Sequence, residues 1–63
     1  MDEITISYYL DNELAAVRYR GAVPRIGDEV RIKGICYPVI LVVWIEDEGP
    51  APKVNIGLGG ARK

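Results

Sequence analysis

Histidine and phenylalanine are absent from this chain of 63 residues, and cysteine, serine and threonine occur once each, as Cys36, Ser7 and Thr5. Each shortage excludes something. Without an imidazole there is no Ser-His or Cys-His nucleophilic pair. Zinc sites draw mainly on Cys and His, and one Cys does not make a structural site. A single Cys also excludes an intramolecular disulfide, the usual staple of small secreted domains. Long apolar runs are missing too, since the longest, Ile35 to Ile45, has eleven residues and is too short to cross a bilayer as a helix. A chain of this size buries only about 60% of its unfolded surface, so its core is small and a buried multi-residue site would strain it. The shortages point away from catalysis, with no cofactor and no metal expected.

What is present is hydrophobic and β-forming. Hydrophobic residues make up 49% of the chain, too many for a disordered segment. The net charge of −1 gives no global field toward nucleic acid or membrane. The start, Met1-Asp2-Glu3, is acidic and lacks the cationic and apolar pattern of a secretory leader; with the lone Cys36 this places the chain in the cytoplasm as an expectation. The charge is segregated nonetheless. Residues 2–13 carry a net of −4, residues 18–33 a net of +3, Glu46-Asp47-Glu48 a net of −3, and Lys53, Arg62 and Lys63 a net of +3.

Fifteen residues are Val or Ile, whose branched side chains favour strands. The apolar period is two, and no helical spacing persists. Glu3 to Leu10 alternates Ile4, Ile6, Tyr8 and Leu10 against Thr5, Ser7 and Tyr9, a half-buried strand. Leu10-Asp11-Asn12-Glu13 reads as a tight hairpin, because Asp and Asn tolerate positive φ. The chain returns from Leu14 to Arg20, with Ala15, Val17 and Tyr19 on one face and Arg18 and Arg20 on the other. After a Gly- and Pro-punctuated connection, Asp28 to Lys33 places Val30 and Ile32 inward. Gly34 turns the chain into the longest strand, about Cys36 to Glu46. Alternation assigns Tyr37, Val39, Leu41, Val43 and Ile45 to one face and Ile40, Val42 and Trp44 to the other. Two apolar faces mark a strand covered twice, or one that coils between two faces of a barrel. Pro38 donates nothing to a ladder, so pairing near it should be one-sided or bulged. Gly49-Pro50-Ala51-Pro52 is a loop, and Lys53 to Leu58 is a last strand with Val54, Ile56 and Leu58 inward. The expected architecture is all-β, a five-stranded small barrel or strongly bent antiparallel sheet without substantial helix. Residues 1–58 form one domain and 59–63 a short tail.

The stretch Val23-Pro-Arg-Ile-Gly-Asp-Glu-Val-Arg-Ile-Lys-Gly34, with Tyr37-Pro38-Val39, resembles SH3-like small barrels of the KOW and Tudor type. The likeness lies in a Gly-Asp turn, a Val-x-Ile strand, a Gly turn and a longer apolar strand, over about residues 23–47. In size and texture the chain is also similar to small accessory proteins of phages and prophages. The first resemblance implies an SH3-like barrel; the second carries no site residues.

Two sets of side chains stand out as candidate contact residues. Tyr9, Ile40, Val42 and Trp44 combine aromatic and aliphatic surface that so short a chain has little material to cover. They point to a protein-interaction module or small inhibitor protein, with a homodimer as the simplest cover. Tyr8, Tyr19 and Tyr37 are read instead as lids of a core that lacks Phe, and Cys36 as a small buried apolar residue. Arg18, Arg20, Arg25, Arg31 and Lys33, placed on outer strand faces and the loop between them, support an alternative, a small barrel that binds nucleic acid through a basic surface. A third alternative is an oligomer that sequesters a small ligand between subunits. Glu46-Asp47-Glu48 reads as a solvated turn.

Overall fold

A computed structural model describes residues 4–19, 21–46, 49 and 51–61. It contains β1 (Thr5–Leu10), β2 (Glu13–Arg18), β3 (Glu29–Ile32), β4 (Ile35–Ile45) and β5 (Lys53–Leu58), and no helix among the described residues. The strands form one sheet in the order β2-β1-β5-β4-β3, curled into a half-barrel. Arg20, Asp47, Glu48 and the 1–3 and 62–63 ends lie outside the described residues.

The order is a five-strand meander closed on itself, with the break between β2 and β3. Up-and-down alternation around a ring needs an even number of strands, so with five one neighbouring pair must run parallel. That pair is β1–β5, in register from Thr5↔Lys53 to Leu10↔Leu58, while the other three seams are antiparallel. The bent sheet expected from the sequence is thus antiparallel at every seam except that between β1 and β5.

Both hairpins turn on two residues with positive φ. Asp11 (φ 53°) and Asn12 (φ 66°) join β1 to β2, and Lys33 (φ 52°) and Gly34 (φ 81°) join β3 to β4. Two successive positive φ values match the right-handed twist of the flanking strands, which is why Asn, Asp and Gly favour such turns. Lys33 is the exception in chemistry, a long side chain in a conformation that costs it about 1 kcal/mol. The β2–β3 connection closes with a different turn. The Asp28 amide donates to the Arg25 carbonyl at 2.9 Å, and Gly27 supplies the positive φ of 101° that this turn requires at its third position. The turn is stitched to β4, since the Gly27 amide donates to the Val39 carbonyl (3.1 Å) and the Val39 amide to the Asp28 carbonyl (2.8 Å).

The core lies on the concave side. Ile6, Tyr8, Val39, Val54, Ile56 and Leu58 are buried there, and Ile4, Leu10, Ala16, Val23, Val30, Ile32, Tyr37 and Val42 pack against them. The inward set of β5 matches the alternation of its sequence, as does that of β1. Burial of Tyr8 pushes its phenol up from the ordinary tyrosine value, against a smaller lowering by the nearby Arg18 charge.

Two register shifts interrupt the alternation. On β2 the shift falls opposite Tyr8 and Tyr9, which face Ala16 and Leu14 and leave Ala15 as the extra residue. On β4 it falls between Val39 and Leu41, leaving Ile40 as the extra residue. Each bulge bends its strand and reverses which side chains point inward beyond it. The expected bulge near Pro38 is therefore present two residues on, and the Pro38 carbonyl accepts the Gly59 amide at 2.8 Å. Gly59 is half-buried, so the expected tail begins as part of the fold.

Candidate functional site

The bulge at Ile40 redistributes the first candidate set. Val42 and Trp44 stand opposite Ile56 and Val54 and so belong to the concave side. Leu41, Val43 and Ile45 stand opposite Gly57, Asn55 and Lys53 and belong to the convex side. The Ile40 Cγ2 approaches Gly59, on the same side as Gly57. Ile40, Val42 and Trp44 thus do not share a face, because strict alternation fails at the extra residue.

What the convex side does hold is a row of opposed residues across four strands, Leu14–Tyr9–Gly57–Leu41. Directly opposed residues share a face, so this row is continuous. Ile40 and Val43 extend it along β4. Leu14, Ile40, Leu41 and Val43 are between 41% and 59% exposed, and Tyr9 is half-buried. None of the six residues is charged, and all but Leu14 line, together with Asn55, a groove that ends at Asp11 and Asn12. Leu41 and Val43 carry no sequence signal of this role. The two-residue Asp11-Asn12 turn sets Leu14 opposite Tyr9, whereas Leu41 and Val43 come to this side only through the bulge at Ile40.

A second apolar hollow lies at the end of the half-barrel, where Val23, Pro24, Arg25 and Ile26 face Val42 and Trp44. Trp44 is 52% exposed there, and the Arg25–Asp28 turn holds Ile26 outward beside it. The Arg25 amide donates to the Asp28 carboxylate at 2.9 Å, which locks that turn from both sides.

The basic set is also divided. Arg18 stands opposite Ile6, hence on the concave side and not on the outer face expected for it, because Ala15 shifts the phase of β2. It lines the open seam between β2 and β3 together with Arg31 and Lys33, next to Tyr8, Val30 and Ile32. Arg25 is apart from these three, at the Trp44 hollow, and Arg20 lies outside the described residues. The four described cations of the set are thus divided between two surfaces.

Two smaller expectations change. Tyr19 is exposed and does not cover the core, whereas Tyr8 is buried and Tyr37 packs on its edge. Cys36 is half-buried opposite Arg31, away from the core. Among the described residues no group of three or more His, Cys, Asp or Glu side chains is placed to hold a metal ion, and no helix is long and apolar enough to cross a membrane. No protein-family model, curated protein or solved structure matches the chain.

Proposed function

We propose that this protein is a non-catalytic binding module whose convex apolar row is its contact surface, and that the first partner of that surface is a second copy of the chain. One observation carries the reading. Leu14, Tyr9, Leu41, Ile40 and Val43 form a contiguous uncharged patch on the convex side of the sheet, which none of the described residues outside the sheet covers. Exposed apolar surface costs about 25 cal/mol for each Å² left in water, so burying such a patch favours association. The Leu41 side chain lies over Gly57, so Tyr9 and Leu41 are joined across β5 into one apolar surface that a second copy can present in return.

Amide chemical shifts followed by NMR across a dilution series test the reading. Shifts concentrated at Tyr9, Leu14, Leu41, Val43 and Gly57 are the expected result. Shifts centred on Val42 and Trp44 would move the contact to the other side of the sheet and contradict it.

A further inference from the structure

The break in the meander leaves two strand edges facing an open cleft. Among the described residues β2 pairs as a strand only with β1, and β3 only with β4, so each has one edge without a neighbouring strand. The cleft between them has a volume of about 440 Å³ and is lined from both sides, by Ala15, Ala16 and Arg18 of β2 and by Val30, Arg31 and Ile32 of β3, with Lys33 and Tyr8. Three of the eight lining residues are cations and none is an acid.

We propose that this seam takes an extended acidic segment of a partner protein as an added strand. An unpaired strand edge presents backbone amides and carbonyls at the spacing of another strand, which is the basis of strand addition. The charge selects the chemistry of the guest. Arg18 on one wall and Arg31 and Lys33 on the other leave a strand between them beside positive charge from both sides, so carboxylates along the guest are favoured. The apolar members of the lining select its pattern. Tyr8, Ala16, Val30 and Ile32 meet the guest side chains that point into the half-barrel, and Arg31, opposite Cys36, meets those that point out, so the fitting segment alternates acidic and β-branched residues, with one further carboxylate inward at Arg18. The directions of β2 and β3 are opposed, so the guest runs antiparallel to one edge and parallel to the other. The seam shares no residue with the convex row and stays open when that row is covered. The inference therefore stands whether or not the chain is a dimer.

Fluorescence polarisation with three labelled probes tests it: an end-capped peptide of about eight residues alternating Glu and Val, the same peptide N-methylated at alternate positions, and a single-stranded oligothymidine. The unmodified peptide is expected to bind, weakening as salt rises. The N-methylated peptide, which cannot complete the backbone ladder, is expected to bind at least about tenfold more weakly. Arg18→Glu/Arg31→Glu is expected to lower affinity about tenfold or more, with Arg31→Glu alone, at an exposed position, as the second variant should the pair unfold. Equal binding of the methylated peptide overturns strand addition. Tighter binding of the oligothymidine, lost in the same variants, makes the seam a nucleic-acid site and overturns the peptide assignment. Binding of no probe leaves the three cations as guards of open edges against aggregation and overturns the proposal altogether.

Discussion

Gly57 of β5 and Leu41 of β4 stand opposite each other so closely that a Cβ on Gly57 would lie 2.9 Å from the Leu41 Cβ. Leu41 directly follows the extra residue at Ile40, and only a residue without a side chain fits beneath it. The atom in the way is a Cβ, fixed to the backbone, so it cannot swing aside. Gly57→Ala is therefore expected to force the two central strands apart and cost about 1–3 kcal/mol, read by urea denaturation. Leu41→Ala would not relieve the clash, because it keeps the Cβ. Leu41→Gly would relieve it, so the double variant should be destabilised by less than the two single changes added together.

The Arg25–Asp28 turn offers a cleaner test of one side chain. Its carboxylate accepts the Arg25 amide at 2.9 Å in an exposed setting. Asp28→Ala is expected to cost about 1 kcal/mol, while Asp28→Asn, which keeps an acceptor oxygen, should retain most of the stability. Equal losses in the two variants would remove the hydrogen bond from the account of this turn.

Lys33 occupies a left-handed conformation at φ 52°, directly before Gly34. Lys33→Asn creates the Asn-Gly pair that such hairpin turns favour. It is expected to stabilise the protein by about 0.5–1 kcal/mol and to raise the melting temperature by about 2–8 °C. An unchanged or lower melting temperature would mean that the Lys33 conformation costs the fold nothing.

Tyr8 gives the alkaline limb of the stability curve a sign. Burial holds its phenol above the ordinary value of 10.0, so as pH rises the unfolded chain ionises at this position before the folded one. The stabilisation is complete below about pH 10 and is lost as pH climbs through the raised folded value. Tyr8→Phe should therefore show a shallower loss of stability than the parent chain as pH rises above 10.0, measured by urea denaturation at each pH. A parallel loss in both would exclude Tyr8 as a source of the slope.

The strands and their turns were legible in the sequence because alternation and turn chemistry agree there. Ile4, Ile6, Tyr8 and Leu10 alternate with Thr5, Ser7 and Tyr9, and Val54, Ile56 and Leu58 with Lys53, Asn55 and Gly57. The bulges were not legible, for a physical reason. Leu14-Ala-Ala-Val17 and Val39-Ile-Leu-Val-Val43 are apolar at every position, so a slip of one residue leaves no polar group buried and no mark in the pattern. That silence moves Arg18 to the concave side and separates Ile40 from Val42 and Trp44. The parallel β1–β5 seam was hidden for another reason. It follows from closing an odd number of strands, a property of the ring and of no single segment.

The central claim is that the uncharged row Leu14–Tyr9–Gly57–Leu41 is a contact between two copies of the chain. The most direct test is the mass by multi-angle light scattering, over a hundredfold concentration range, of the parent chain and of Leu41→Glu. The account predicts that the parent approaches twice the 7.0 kDa chain mass at the upper end, while Leu41→Glu stays at 7.0 kDa throughout and remains folded. A parent chain that keeps the single-chain mass at every concentration, or a Leu41→Glu variant that dimerises as well as the parent, would contradict it.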